Sequence, residues 1–458
     1  MRSRPEYDVV IVGLGYVGLS TAVCFASRGF KVRGIDVDAD KVKKVSSGVP
    51  VIHEAMLKEM LQEGISKGNL SFGTEFDDEA SSGSFIFITV GTPSNPDGSM
   101  ETKYVKQAVE EISIALSRTG HFQTVVMKST VIPGTTYNFV KPTLERLSGK
   151  KVGKGIGLCV NPELLREGSA IKDTLNPDAL IIGREDTRSE RVILDLYKRF
   201  YSDLPPLILT SFTNAEMIKY AVNSFRGVQL SFLNSLANLA GALQNADVGE
   251  IIDGFAKITR VDNRYLRPGP GFGGSCLPKD MKALLSLMRN MKVDPILLEA
   301  ALKINDNQPK VIVSIAEKEA EGLRGKRVAL LGLAYKGGTD DVRDSPSLRI
   351  AKQLLDNGAR VVAFDPAAVP KTREVLGNSI KYSDTLAKTL SNADIAIVAT
   401  DWPEFREIKP DEFKRLMKRA VVIDTRRILN VKDYQGSGVK LVTIGTSKST
   451  KLGDEKNE

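Results

Sequence analysis

The junction at the start of the chain constrains the fold most. The run Asp8-Val9-Val10-Ile11-Val12-Gly13 reads as a strand, and Gly13-Leu14-Gly15-Tyr16-Val17-Gly18 follows it directly and opens a helix over Val17–Arg28. Glycines at that spacing let backbone N–H groups at a helix N-terminus face a pyrophosphate. A second apolar run, Lys31–Asp36, ends in a carboxylate eighteen residues after Gly18. An acid there can accept hydrogen bonds from ribose hydroxyls and would repel a 2′-phosphate, which favours NAD over NADP. A lone G-x-G-x-x-G also fits a phosphate-free structural turn. Strand, turn, helix and acid in register instead predict dinucleotide binding.

The alternation continues. Phe85–Val90, Thr124–Lys128 and Gly157–Val160 read as strands, separated by helices over Lys103–Ser117 and Thr135–Leu147, with Asp178–Gly183 and Leu207–Leu209 as further strands. Strands alternating with helices predict a parallel, doubly wound sheet over residues 1–212. Thr213 to about Asn245 then holds no proline and two glycines, opening on Thr213-x-x-Glu216, a capping-box pattern. Helical sequence continues to about Glu321, so residues 213–322 form a central helical linker. From Lys326 a second unit begins, with strands Val328–Leu333, Arg360–Phe364, Ile395–Thr400 and Val421–Asp424 and a helix over Ser347–Asn357. The expected architecture is α/β: two doubly wound Rossmann-like domains, 1–212 and 323–446, joined by the long helical linker. A polar tail, 447–458, is expected to be disordered. The two α/β halves resemble each other only in element order.

Composition narrows the function. At 458 residues the chain exceeds one ordinary core. No apolar run approaches the ~20 residues that span a bilayer and no signal peptide is visible, so the reading is cytoplasmic with no membrane partner. Three cysteines, Cys24, Cys159 and Cys276, lie far apart and argue against a disulfide framework. Two histidines, His53 and His121, leave little for a zinc site or for imidazole acid–base chemistry, so no metal is expected. The formal charge is +8, but its basic and acidic residues are interspersed without a basic stripe, so no nucleic-acid partner is expected either.

Three segments carry chemistry. Gly271-Phe272-Gly273-Gly274-Ser275-Cys276-Leu277-Pro278-Lys279-Asp280 offers a thiolate with a lysine and a carboxylate within four residues, on backbone able to pass close to a ligand. The bland alternative is a Gly-rich turn around a buried structural cysteine. Asn161-Pro162-Glu163-Leu164-Leu165-Arg166-Glu167-Gly168 reads as a short helix capped by Asn161 and ended by Gly168. On it Glu163 and Glu167 would share a face, an arrangement unfavourable enough to suggest function. Lys219 and Asn223 are one turn apart among Tyr220, Ala221, Val222 and Phe225. Such a face is either solvated or, if buried, able to donate to a developing oxyanion.

With Gly91-Thr92-Pro93, Ser129-Thr130-Val131 and Asp341-x-Arg343-x-Ser345, these motifs stand in one order from about Asp8 to about Leu429. On them the chain resembles the nucleotide-sugar dehydrogenases, the UDP-glucose/GDP-mannose dehydrogenase family, which oxidise a sugar's C6 alcohol to a carboxylate. The resemblance implies that Cys276 is the nucleophile, that Lys219, Asn223 and Thr130 polarise the reacting oxygen or a water, and that Asp280 and Glu163 handle protons. It implies NAD contacts from Gly13, Gly15, Tyr16, Val17, Gly18, Asp36, Lys41, Thr92, Thr130, Glu167, Lys279 and Arg343. Glu163, Leu164, Glu167, Lys219, Asn223, Arg267, Phe272, Gly273, Tyr335, Lys336 and Arg426 would hold the nucleotide sugar, with Arg260 reaching across the interface of a homodimer or higher oligomer. The chemistry agrees, because four-electron oxidation by a two-electron carrier needs the aldehyde retained, and a thiolate retains it.

Ser275 before Cys276 and Lys279-Asp280 after it favour UDP-glucose over N-acetylated sugars, whose enzymes tend to carry a histidine there. GDP-mannose enzymes share the Cys-Leu-Pro-Lys-Asp ending but not the residues before it. Rival readings are a β-hydroxyacid dehydrogenase, which needs no nucleophilic cysteine, and a silent binding regulator, whose site would be broken.

Overall fold

Residues 6–260 and 267–447 are described by a computed structural model of the chain. They divide into two units, residues 1–222 and 223–458, at a boundary inside one helix, Phe212–Ala242. In the first unit eight strands form one sheet in the order β3-β2-β1-β4-β5-β6-β7-β8. They are Val9–Val12 (β1), Val32–Ile35 (β2), Leu70–Gly73 (β3), Phe85–Ile88 (β4), Thr124–Met127 (β5), Gly157–Val160 (β6), Leu180–Gly183 (β7) and Leu207–Thr210 (β8). Strands covered on both faces read as unbroken apolar runs, and β1, β4, β5, β6 and β7 are buried along their whole length.

The sheet departs from the all-parallel expectation at one seam. β6 and β7 pair antiparallel through Val160↔Gly183, while β7 and β8 run parallel to each other. Strand β3 lies beyond the sequence reading, since Leu-Ser-Phe-Gly at a sheet edge is only half covered and lacks the apolar run of an inner strand.

Two expected helix signals are used differently. The helix Phe212–Ala242 starts one residue before Thr213, and the Ser211 hydroxyl accepts the Asn214 N–H at 3.3 Å. Glu216 makes no capping box. Its carboxylate accepts the N–H groups of Gly134 and Thr136 at 2.6 and 2.9 Å, capping a remote helix start.

The chain then passes through helices Val248–Thr259, Leu277–Asn290 and Ile296–Ala320 to a second sheet. Its strands are Arg327–Leu331 (β9), Arg360–Phe364 (β10), Lys381–Tyr382 (β11), Ile395–Val398 (β12), Val421–Asp424 (β13) and Lys440–Thr443 (β14), in the order β11-β10-β9-β12-β13-β14, all parallel. This repeats the order of the first six strands of the other unit.

The likeness exceeds element order, correcting the sequence reading. Gly13 and Gly332 end their first strands at φ +100° and +101°. The next N–H, of Leu14 or Leu333, donates at 2.7 Å to the acid ending the neighbouring strand, Asp36 or Asp365. The second turn is the more closed: Ala334 stands where the first has Gly15, and Asp365 also accepts the N–H groups of Ala334, Ala367 and Ala368 and the Trp402 indole. Among the described residues no helix is long and apolar enough to cross a membrane.

Candidate active site

In the first unit the glycine turn has one open position. A Cβ on Gly13 would sit 2.8 Å from the Val90 backbone, and one on Gly18 would overlap the Gly13 carbonyl oxygen. Gly15 is exposed, and a Cβ there would meet no described atom within 4 Å. The outer glycines are thus fixed by the protein's own packing, and the middle one leaves a cradle for a ligand. Gly15 also caps the helix Tyr16–Ser27 without a side-chain acceptor, so the first helical N–H groups suit a phosphate.

Asp36 is buried, accepting Leu14 N and the Lys41 ammonium at 2.7 and 2.8 Å on one oxygen and Asp38 N at 3.1 Å on the other. The Tyr16 hydroxyl donates to the His53 carbonyl at 2.7 Å, Thr92 is buried, and Val17 and Thr130 are half-buried. Thr89, which the sequence reading passed over, braces the turn by donating to the Gly13 carbonyl at 2.7 Å.

No helix forms over 161–168, and Glu163 and Glu167 do not share a helical face. The groups a helix would need are engaged elsewhere. Asn161 N continues the sheet to Met127 O at 2.8 Å, while its side chain accepts the Lys128 ammonium and the Tyr197 hydroxyl and donates to Ile181 O. Glu163 accepts Leu165 N at 2.5 Å and pairs with Lys219 at 2.7 Å, the two side chains only 6% and 3% exposed. Leu164 is half-buried and Glu167 buried.

Burial alone would raise the Glu163 carboxyl, but Lys219, Leu165 N–H and Lys128 outweigh it and hold it below the usual carboxylate range. Burial pushes Lys128 down to about 8, with Glu163 opposing and Lys219 adding to the fall. Lys128 was missed as a site residue. The available signal was a lysine just past the carboxyl end of an apolar strand, where ligands bind in such sheets.

In the second unit Cys276 is half-buried and caps Leu277–Asn290, with its sulfur 3.3 Å from the Ser275 hydroxyl. Partial positive charge at a helix N-terminus favours a thiolate. Cys24 and Cys159 are buried in apolar cores, which raises both thiols, Cys24 to about 12. They are inert by comparison.

One turn past Cys276, Asp280 is 1% exposed. Its oxygens accept the Asn223 amide and the Lys279 ammonium, each at 2.6 Å. Lys279 pairs with its neighbour along the chain. Asn223 is buried on the helix that also carries Lys219.

The loop's glycines are spent on the protein itself. Gly271 is at φ +115° with Asn305 against it, a Cβ on Gly273 would overlap the Asp344 carbonyl, and Gly274, at φ +85°, lies 2.7 Å from the Tyr335 ring by the same measure. Phe272 is buried. Arg426 braces backbone, donating to Ala399 O and Tyr335 O at 2.8 and 2.6 Å, and Lys336 lies 5.6 Å from the Tyr335 ring centroid. Arg343, expected at the cofactor, pairs with Asp341 at 2.7 Å and is 61% exposed. Arg260, in the left-handed region at φ +55°, and Arg267 are exposed.

Residues 7–201 match the UDP-glucose/GDP-mannose dehydrogenase family NAD binding domain, 213–307 its central domain and 329–431 its UDP binding domain. The chain belongs to this family. A UDP-glucose 6-dehydrogenase of Haloferax volcanii is 39% identical over 92% of this chain and 97% of its own length. Among solved structures, a UDP-glucose dehydrogenase from Pyrobaculum islandicum matches with TM-score 0.85 at 36% identity, covering 93% of this chain and 96% of its own. A UDP-D-ManNAc dehydrogenase from Pyrococcus horikoshii matches with TM-score 0.82 at 30% identity over 96% and 99%. The protein is accordingly an NAD-dependent dehydrogenase of this family, and the open cradle at Gly15 with the acid at Asp36 fits that cofactor.

Proposed function

We propose that the chain oxidises UDP-glucose at C6 to UDP-glucuronate, with Cys276 holding the intermediate. The observation carrying this reading is the half-buried Cys276 at a helix start with, one turn on, a buried carboxylate whose two oxygens are held by Asn223 and Lys279. NAD, bound through Gly13–Gly18, Asp36 and Lys41, supplies the hydride acceptor, two molecules per sugar.

The rest follows from the side chains. A base, Asp280 or Glu163, takes the alcohol proton as the C6 hydride leaves. The Cys276 sulfur adds to the aldehyde carbon, giving a thiohemiacetal, whose own hydride loss leaves a thioester. Water then adds to that carbon, the C–S bond breaks, and the carboxylate is released with the thiolate restored. Lys219, Asn223 and Thr130 donate to the oxygen that gains charge in these steps. Arg260, Arg267, Lys336, Arg426 and the Phe272-Gly273 backbone are assigned to the nucleotide sugar, Glu167 and Arg343 to the cofactor side.

The Haloferax and Pyrobaculum names support UDP-glucose, as does Ser275 before the cysteine, whereas the Pyrococcus structure keeps N-acetylated sugars as the reading to test against. The division into 1–212, 213–322 and 323–446, a cytoplasmic setting and assembly at least as a dimer belong to the same proposal. Following NADH with UDP-glucose, GDP-mannose and UDP-N-acetylhexosamines tests it: two NADH per UDP-glucose are expected. Faster turnover of another sugar would overturn the substrate, and full activity in Cys276→Ala would overturn the covalent route.

A further inference from the structure

The segment leading to Cys276 is gripped by buried amides that no motif flagged. The Asn305 side chain accepts Phe272 N at 2.7 Å and donates to Phe272 O at 3.0 Å, imitating one rung of a β-ladder. Asn234 accepts Gly269 N at 2.8 Å, Gln308 lies 3.5 Å from Gly269 O, and Asn238 donates to Gln308 at 3.1 Å. Asn305, Asn234 and Gln308 are all 3% exposed or less. Asn305 and Gln308 are one turn apart on Ile296–Ala320, as are Asn234 and Asn238 on Phe212–Ala242.

On the loop's other side, Gly274 N donates to Arg343 O at 2.8 Å. The Phe272 ring packs with Met281 and Leu298, and Met281 sits on the very helix that Cys276 caps. Phe272 is therefore fixed through its backbone by Asn305 and through its ring by the cysteine helix.

We propose that Asn305 is a positioning residue for Cys276, clasping Phe272 so that the loop enters Leu277–Asn290 with the sulfur in one place. An amide is suited to the task because it satisfies a buried donor and a buried acceptor of one residue at once. Any apolar replacement would leave both without partners. A sulfur displaced by about 1 Å is enough to slow attack by about a hundredfold. A merely structural amide would affect stability and leave the sulfur's reactivity alone.

The inference rests on the reading of Cys276 as nucleophile, so its test includes a readout independent of turnover. Carbamidomethylation of the full chain by iodoacetamide reports on Cys276, since the other two thiols are buried. Asn305→Ala, which removes both bonds, is expected to change the Cys276 alkylation rate at least about tenfold and to lower kcat by about a hundredfold, with KM for UDP-glucose moving less than about threefold. Asn305→Asp, which keeps the acceptor and loses the donor, should fall between it and the parent.

Folded variants whose alkylation rate and kcat stay within about twofold of the parent would overturn the proposal. If Asn305→Ala does not fold, Asn305→Asp decides by the same criteria. A Cys276→Ala protein that remains active would remove the covalent reading, while the alkylation rates would still decide where the loop holds its sulfur.

Discussion

Buried charge at the Lys128, Glu163 and Lys219 positions ties pH to stability residue by residue. Glu163 titrates below its unfolded value, so its contribution is present above about pH 4.3 and is lost as pH falls through the folded value. Lys128 has the opposite sense. Its pKa falls to about 8 from 10.5, so an unfavourable buried charge is present in full below about 8 and is relieved as pH rises toward 10.5.

Thermal melts should show both limbs. Glu163→Gln should lower Tm at pH 7, because it removes the carboxylate paired with the buried Lys219, and should flatten the loss of stability below pH 5. Lys128→Met should abolish the gain in Tm between pH 8 and 10, and an unchanged alkaline limb would refute the assignment.

Asp36 was legible from the sequence because it ends a strand at a fixed distance from a glycine turn, and Lys41 is its partner at 2.8 Å. Asp36→Asn leaves that cation with no carboxylate, so kcat/KM for NADP should rise at least about tenfold relative to NAD, or ~1.4 kcal/mol. An unchanged ratio would mean that Asp36 does not read the ribose. Lys128 carried one local signal, its place just past the end of β5, but what distinguishes it is burial beside groups distant in sequence.

At the scale of elements, signals with local causes were readable and those with remote causes were not. Strands β1, β4 and β6 announce themselves through their own apolar runs. The segment 161–168 carries every local mark of a short helix, yet Lys128, Tyr197 and Lys219 take its side chains from outside. Thr213-x-x-Glu216 fails likewise, because Glu216 answers N–H groups eighty residues away.

The cysteine loop's glycines were recognised, but their reason is packing against Asp344, Asn305 and Tyr335 rather than room for a ligand. Gly273→Ala should therefore strain the loop by about 1–3 kcal/mol, since a backbone carbonyl cannot yield as a flexible side chain can. Lowered Tm together with lost turnover is the expected result. A variant with parental Tm and kcat would show that the loop has slack.

For the whole molecule, one turn-and-acid design appears twice, open at Gly15 in the first unit and filled at Ala334 in the second, which suits the open copy to a dinucleotide. The proposed assembly would run through the helix Phe212–Ala242. Leu233, Ala237 and Ala240 are buried with Val248 and Ile252, whereas Phe225, Phe232 and Leu239 recur every seventh residue and are 62%, 49% and 56% exposed. A seven-residue apolar repeat is the spacing at which one helix packs along another. Burying such a side chain fully contributes about 1.5–3 kcal/mol, so three from each of two helices supply a substantial association energy. The expected partner is a second copy, with Arg260, exposed at the end of Val248–Thr259, serving the neighbour's substrate. Sedimentation should find at least a dimer at micromolar concentration. Phe232→Glu with Leu239→Glu should give a folded monomer with activity reduced at least about tenfold, because each site then lacks its neighbour's arginine. A monomer that keeps full activity at nanomolar concentration would defeat both the interface and the shared arginine. A dimer unaffected by the double substitution would defeat the interface alone.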